Sequence, residues 1–367
     1  MRVLITGSNG FIGKNLVVHL NELKDIEVET FSRENTISQL MEMCSKVDFI
    51  IHLAGINRPK NNSEFTEGNE NLTTVLCDVL SQSGRKVPII LASSIQAVQE
   101  NLYGKSKLAS EEAVEEYSRI TGSEVYIYRL PNVFGKWCKP NYNSVVATFC
   151  YNIVNNLEIN INDPDVELSL VYIDDVVEEF VSVLSLDKAA NTVKVNPVYN
   201  VTLSDLAKTI CAFRDDNKEL KVGTVGQGLT RCLYSTYLSY KTPKMFSYKL
   251  VAHEDSRGTF VEMLKTENSG QFSFFTAHPG ITRGGHYHHS KTEKFLVIKG
   301  SAKFKFRNIV TDELYEINTT GKKAEIVETI PGWVHDITNV GDDEMFVMLW
   351  ANEIFDNEHP DTYASVL

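Results

Sequence analysis

Residues 6–13 read TGSNGFIG, with glycines at Gly7, Gly10 and Gly13, and they decide how the N-terminal half folds. They follow the apolar, β-branched run RVLIT, Arg2 to Thr6, and precede a helix-like stretch from Lys14 to Leu23. A strand, a tight glycine turn and a helix in that order let backbone N–H groups and the helix N-terminus meet a pyrophosphate, while the third glycine lets the helix lie close to the strand. Working outward, VDFIIHLAG from Val47, VPIILASS from Val87 and EVYIYRL from Glu124 are further apolar runs of strand length. Helix-like segments lie among them, at Asn71 to Ser83 and from near Gly104. This alternation predicts an α/β fold, a Rossmann-like doubly wound parallel sheet covered on both faces. Gly7, Gly10, Phe11, Ile12 and Gly13 are the expected dinucleotide-binding residues, with Leu53 and Ala54 at the end of the HLAG strand.

Length and composition bound the rest. A chain of 367 residues is long enough for two domains, each with its own core, and too long for a small stapled module. Hydrophobic residues at 43% against 23% charged mark a chain that folds throughout. Its 48 acidic and 36 basic residues leave a formal charge of −12, which repels phosphate backbones and anionic lipid, so neither nucleic acid nor membrane is an expected partner. The cysteines, Cys44, Cys77, Cys138, Cys150, Cys211 and Cys232, lie far apart without a CxxC pair, which argues against a disulfide framework or zinc ribbon and for reduced thiols. With no signal-like apolar stretch at the start and no long apolar span downstream, a cytoplasmic protein is expected.

From about Gln271 the pattern changes to short alternating strands, FSFFTA, KFLVIKG, AKFKFRNIV, ELYEIN, AEIVETI and MFVMLWAN, broken by Gly, Asn and Pro. That predicts an all-β sandwich or barrel. The last helix-like stretch is TLSDLAKTICAFRD from Thr202, and the Tyr- and Ser-rich STYLSYKTPKMFSYKL, Ser235 to Leu250, reads as a connector. The boundary is expected near Thr242, giving domains 1–242 and 243–367.

The expected end of the second strand reads EVETFSRE, with Ser32 and Arg33 where an acidic residue would bind a ribose 2′-hydroxyl; an Arg there suits a 2′-phosphate, so NADPH is the expected cofactor. Tyr103 and Lys107, in YGKSK, are four apart and share one helix face, so the ammonium can lower the phenol's pKa and hold a ribose. A phenol so poised can protonate a carbonyl oxygen as hydride reaches carbon. Ser93 and Ser94 of LASS are available to bond that carbonyl. TGSNGFIG, DFIIHLAG (Asp48 to Gly55), LASS, YGKSK, RLPNVFG (Arg129 to Gly135) and YIDDVV (Tyr172 to Val177), in this order, resemble the extended short-chain dehydrogenase/reductases that act on nucleotide sugars. The resemblance implies Ser94, Tyr103 and Lys107 as the catalytic set and Asn132 near the sugar. Two features depart from it: only nine residues separate Ser94 from Tyr103, and Asn57 and Arg58 follow HLAG where that family has a small apolar residue.

A second cluster reads GITRGGHYHHSKTEKFLVIKG from Gly280. His286 and His288 are two apart, hence on one face of a strand; Glu293 follows, and PGWVHDITN supplies His335. Three imidazoles and a carboxylate suit a divalent metal such as Zn²⁺, Fe²⁺ or Mn²⁺. The spacing G-x5-HxH-x4-E-x6-G from Gly280 to Gly300 resembles the first cupin motif, and Gly332, His335 and Asn339 resemble the second, although Pro331 adjoins Gly332 directly. The resemblance implies a cupin barrel. DSRGTFVEM, Asp255 to Met263, and GITRGGHY further resemble the nucleotide-4-keto-sugar 3,5-epimerases, which implies Arg257, Phe260, Glu262 and Arg283 as substrate-binding residues. In those enzymes the residue matching His286 is a metal-free base, which competes with ligation here.

Both halves suit a 4-keto sugar, whose C3 proton is acidified by the adjoining carbonyl. A reductase followed by a cupin resembles the bifunctional enzymes of capsule and lipopolysaccharide synthesis over the whole chain. This implies a UDP-2-acetamido-2,6-dideoxy-4-hexulose substrate, C3 epimerisation in the cupin, NADPH reduction at C4, a 6-deoxy-talosamine product leading to N-acetyl-L-fucosamine, zinc, and a homodimer. The alternatives are a non-catalytic NADP-sensing scaffold, against which Tyr103 and Lys107 speak, and a reductase whose cupin is dioxygenase-like.

Overall fold

Strand β1 (Arg2–Thr6) sends Val3 and Ile5 to one face and Leu4 to the other, and all three are fully buried in the computed structural model of the chain. Burial on both faces explains the unbroken apolar run, because a parallel strand under two helical layers has no solvent side. The structure describes residues 1–57, 61, 66–185, 193–218, 220–255, 258–261, 263–266, 270–353, 355–356 and 358–367, and of 66–68, 217, 252–255 and 258–261 the backbone alone. Arg257 and Glu262 therefore lie outside the described residues, as does the side chain of Phe260. The described residues group into two units, 1–144 with 167–201 and 145–166 with 202–367. Their helices are α1 (Phe11–Asn21), α2 (Ile37–Cys44), α3 (Leu72–Ser83), α4 (Leu102–Thr121), α5 (Val145–Val154), α6 (Ile173–Leu184), α7 (Leu203–Lys218) and α8 (Gly228–Leu238). None is long and apolar enough to cross a membrane.

In the first unit β1 lies between β2 (Glu27–Phe31) and β3 (Phe49–His52), and β4 (Ile89–Ser94) and β5 (Val125–Leu130) extend a parallel sheet of order β2-β1-β3-β4-β5. Leu4, Ile50, Ile89 and Leu91 pack against Leu40, Leu76, Leu80, Val114 and Tyr117 of α2, α3 and α4. The sheet is Rossmann-like, as the sequence predicts. The chain leaves β1 toward β2 on one side and β3 lies on the other, so the crevice for a ligand opens at the carboxyl ends of β1 and β3. A separate small sheet holds β6 (Asn132–Phe134), β7 (Glu167–Tyr172) and β8 (Tyr199–Thr202).

The second unit pairs β9 (Lys221–Val222) with β13 (Lys265–Thr266), and β11 (Ala252–Asp255) with β12 (Gly258–Val261). Its main body comprises β10 (Ser247–Lys249), β14 (Gln271–Ala277), β15 (Thr282–Tyr287), β16 (Glu293–Lys299), β17 (Ser301–Asn308), β18 (Leu314–Thr320), β19 (Glu325–Glu328), β20 (Trp333–Asn339), β21 (Met345–Ala351) and β22 (Tyr363–Ala364). These form two antiparallel sheets, β10-β19-β16-β21-β14 and β18-β17-β20-β15-β22. Phe295, Val297, Val327 and Val347 of one meet Phe304, Phe306, Ile317 and Ile337 of the other in a single core. Among the described residues side-chain packing, rather than a continuous ladder, joins the two sheets, so a closed barrel is not formed by strand pairing.

The sequence pattern puts one cut near Thr242, whereas the contacts group 145–166 and 202–242 with the C-terminal strands. The reason is local. Helices α5, α7 and α8 pack on one another, and α8 bonds into the turn after β15 through Ser235 Oγ, which donates to the Ser290 carbonyl at 3.0 Å.

Candidate active site and metal centre

The turn after β1 holds Gly7 at φ +72°, and a Cβ there would sit 2.7 Å from the Ala54 nitrogen, so the turn and the end of β3 can meet only through glycine. A Cβ on Gly13 would lie 2.4 Å from the Gly7 carbonyl oxygen, which is why α1 can start directly against the turn. A cleft of about 490 Å³ runs from this turn across the sheet edge. It is lined by Gly7, Gly10, Phe11, Ile12, Gly13 and Leu53 at one end, by Ser94, Tyr103 and Lys107 in the middle, and by Asn132, Trp137, Lys139 and Tyr142 beyond. Ala54 stands behind the lining, its N–H donating to Thr6 Oγ1 at 3.2 Å. Ser32 and Arg33 are also outside it, at the end of β2, whose Phe31 carbonyl accepts the Gly7 N–H at 2.9 Å; Arg33 is exposed.

Tyr103 and Lys107 occupy the first turns of α4, whose start is capped by Asn101 Oδ1 accepting the Gly104 N–H at 2.7 Å. Tyr103 hydrogen-bonds Ser94; burial pushes its phenol up and that bond offsets part of the rise. The phenol is thus held protonated, as a proton donor requires. The nine-residue separation suffices because a short 3₁₀ turn, Ile95–Val98, leads straight into α4. Gly104 permits the approach: a Cβ there would lie 2.3 Å from the Gln96 carbonyl oxygen and 2.5 Å from that of Gln99. Ser93, by contrast, spends its hydroxyl on the buried Glu111, which also holds Arg129. Lys107 Nζ donates to the Ala92 carbonyl at 2.7 Å, and burial brings its ammonium down to about 8 against the opposing pull of Glu111.

Beneath the cleft, Thr73 donates to the Asn69 carbonyl at 2.6 Å, so His52 Nε2–H must donate to Thr73 Oγ1 at 2.9 Å, and His52 Nδ1 accepts from Thr6 at 2.7 Å. This fixes a neutral imidazole, and burial, then the Lys107 charge, hold His52 down to about 3. Asn69 accepts from the Ile56 N–H at 2.6 Å and donates to Ser106, whose hydroxyl donates to the Tyr103 carbonyl at 2.8 Å.

In the second unit, donor atoms of His286, His288, Glu293 and His335 all lie within 4.8 Å of one another. His288 Nδ1 faces the backbone carbonyl of Asp361 and must donate to it; in the neutral ring Nε2 then presents a lone pair to Glu293 Oε2, 3.1 Å away. His335 repeats the arrangement, with Nδ1 toward the Trp333 carbonyl at 3.4 Å and a buried Nε2, lacking a hydrogen-bond partner, 3.4 Å from the same Oε2. Lone pairs converging on a carboxylate call for a proton or a cation, and the donor set fits a divalent metal whose ligands are oriented by backbone carbonyls. Burial, then His335 and His288, lower His286 to about 4, which keeps its lone pair available.

Two irregularities aim these side chains. The Pro331–Gly332 pair forms a turn in which Trp333 N–H donates to the Ile330 carbonyl at 3.1 Å and Gly332 takes φ +78°. Proline followed by a positive-φ glycine is the chemistry of a type II turn, so the adjacency that departs from the cupin motif builds the approach to His335. A bulge between Gly284 and His286 leaves Arg283 opposite Ile337 and His286 opposite His335, placing Arg283 on the ligand face; its guanidinium lies over the Phe275 ring at 5.0 Å. Asn339 is fully buried and structural, donating to the Ala277 and Asp343 carbonyls at 2.9 and 2.8 Å.

Residues 3–202 match the model of the NAD dependent epimerase/dehydratase family. The chain belongs to that family. Residues 253–363 match the polysaccharide biosynthesis C-terminal domain. The chain is similar to a UDP-2-acetamido-2,6-beta-L-arabino-hexul-4-ose reductase of Pseudomonas aeruginosa, 58% identical over 99% of this chain and 98% of that one. It is also similar to the crystal structure of the capsular polysaccharide assembling protein CapF of Staphylococcus aureus, 42% identical with TM-score 0.69 and full coverage of both chains. A UDP-glucuronic acid 4-epimerase of Bacillus cereus shares the fold at 19% identity, TM-score 0.51, over 57% of this chain and 83% of its own.

Within the residues that match this family, Asn69, Gly104 and Glu111 are not singled out by the sequence pattern. Glu111 could have been found, because 103, 107 and 111 continue one helix face. Asn69 and Gly104 act through contacts made across the sheet and loop, for which the local sequence carries no signal.

Proposed function

We propose that the chain is a bifunctional nucleotide-sugar enzyme of capsule or O-antigen synthesis. Its C-terminal module, 243–367, epimerises C3 of a UDP-2-acetamido-2,6-dideoxy-4-hexulose, and its N-terminal module, 1–242, reduces the C4 ketone to UDP-N-acetyl-6-deoxy-talosamine, an intermediate toward N-acetyl-L-fucosamine. The observation that carries the reading is the hydrogen-bonded Ser94–Tyr103 pair with Lys107 one turn on, in a single cleft with the glycine turn. The similarity to the Pseudomonas aeruginosa relative, a UDP-linked 4-hexulose reductase, supports the substrate class.

NADPH would supply hydride to C4. Tyr103 gives its proton to the C4 oxygen, Ser94 bonds that oxygen, and Lys107 holds the cofactor ribose and stabilises the phenolate left behind. Ser32 and Arg33 take the 2′-phosphate, and Asn132 lies beside the sugar. In the second unit His286, His288, Glu293 and His335 would hold one divalent cation, zinc by the chemistry of a His₃Glu set, which would polarise the C4 carbonyl and so acidify the C3 proton. Arg283, with Arg257, Phe260 and Glu262, is assigned to the nucleotide end of that pocket. The protein would work in the cytoplasm as a homodimer.

Mass spectrometry and NMR of products from the UDP-4-hexulose with NADPH test this reading. A talo-configured 4-alcohol is expected. Reduction without inversion at C3 would leave the reductase and remove the epimerase.

A further inference from the structure

Three consecutive backbone N–H groups, of His289, Ser290 and Lys291, point at one carboxylate. Asp361 Oδ1 accepts from His289 at 2.7 Å, and Oδ2 accepts from Ser290 and Lys291 at 2.7 Å each and from the Ser290 hydroxyl at 2.9 Å. All three residues are buried, so their N–H groups call for partners within the protein. The backbone carbonyl of the same residue accepts from His288 Nδ1. Beyond it β22 pairs His286 with Ala364 and Tyr287 with Tyr363, and the Tyr287 and Tyr363 rings stack with centroids 5.6 Å apart. Arg307 secures the following residues, donating to Ser365 Oγ at 3.0 Å and the Val366 carbonyl at 2.9 Å. From the other side α8 reaches Ser290 through Ser235 and Arg231.

From this geometry we infer that Asp361 is a positioning residue of the metal centre: one residue closes the turn that joins His288 to Glu293 and sets the ring orientation of His288. The inference rests on the metal reading of His286, His288, Glu293 and His335 and deepens it. An anion cradled by successive N–H groups is a stable arrangement, and here the anion belongs to the protein itself. The turn cannot take this shape with the three N–H groups unpaired, and both ligands at its ends would move with it. A backbone carbonyl on Nδ1 leaves Nε2 as the donor atom, the usual outer-shell role whose loss weakens metal binding by about 10- to 100-fold.

The test compares the full chain with Asp361→Asn, which keeps size and removes the charge. Zinc affinity is measured by competition with a chelator, the absorption bands of the Co²⁺-substituted protein report ligand geometry, and NADPH binding reports the state of the first unit. Expected are zinc binding weaker by at least about tenfold, shifted Co²⁺ bands and unchanged NADPH affinity. Equal zinc affinity with identical Co²⁺ bands would overturn the role of Asp361 while leaving the metal reading intact. A wild-type chain that takes up neither Zn²⁺ nor Co²⁺ would overturn the metal reading and the inference with it. If Asp361→Asn does not fold, Tyr363→Ala, which loosens the same segment but keeps the carboxylate, decides by the same readings: weaker zinc and moved bands support the role, and no change removes it.

Discussion

Tyr103, Lys107 and Arg33 carry the reductase reading at the scale of single residues. Burial raises the Tyr103 phenol and lowers Lys107 to about 8, so near neutral pH the donor is protonated and the ammonium beside it still charged. Raising the pH through about 8 discharges Lys107 before Tyr103 ionises. The kcat/KM of ketone reduction, which reports the free enzyme, is therefore expected to fall with an apparent pKa near that value. A profile flat to pH 10 would remove the ammonium from the chemistry. Arg33 is exposed at the end of β2, free to pair with a 2′-phosphate through charge-assisted bonds that a hydroxyl cannot match. Arg33→Ala is expected to weaken NADPH binding by about tenfold or more, equivalent to roughly 1.4 kcal/mol, and NADH by much less. Equal losses in a fluorescence titration would take Arg33 out of the cofactor site.

Elements decide where those residues point, and here the sequence was partly legible. The apolar runs of β1, β3 and β4 and the glycine turn are visible as patterns because each depends on neighbours in the chain. Tyr103 and Lys107 are legible for the same reason, being one helical turn apart. What joins α4 to Ser94 is not. Gly104 looks like a weak point in a helix, where alanine would ordinarily add about 0.5–1 kcal/mol. In the fold its missing Cβ is what lets α4 start against the Gln96 and Gln99 carbonyls. Gly104→Ala is accordingly expected to destabilise the protein by about 1–3 kcal/mol in urea unfolding, and to lower ketone reduction by up to about 100-fold, because Tyr103 moves with the helix. A stabilised variant with normal turnover would show that the contact yields freely. The bulge at 284–286 is a second case: GG announces an irregularity, but only the pairing of β15 with β20 shows that it turns Arg283 to the ligand face.

At the scale of the whole molecule, the change from α/β alternation to short strands marks two architectures in one chain, while the grouping of residues does not follow the sequence in one cut. Segments 145–166 and 202–242 belong by packing with the C-terminal strands, and no local pattern foretells which neighbour a helix will choose. The candidate metal cluster was legible because His286, His288 and Glu293 lie within eight residues of one another, whereas Asp361, 73 residues after His288, was not.

The central claim is that inversion at C3 and reduction at C4 reside in different units, and deuterium exchange tests it most directly. Tyr103→Phe removes the phenolic proton and changes no residue of the second unit. His288→Ala removes a proposed metal ligand and changes no residue that lines the cofactor cleft. With the UDP-4-hexulose in deuterated solvent, Tyr103→Phe should lower NADPH oxidation at least about 100-fold while NMR still shows deuterium entering C3. His288→Ala should stop exchange, lower bound metal and keep NADPH affinity. Loss of C3 exchange in Tyr103→Phe, or full exchange by a metal-stripped protein shown to hold none, would contradict the account and return His286 to the role of a metal-free base.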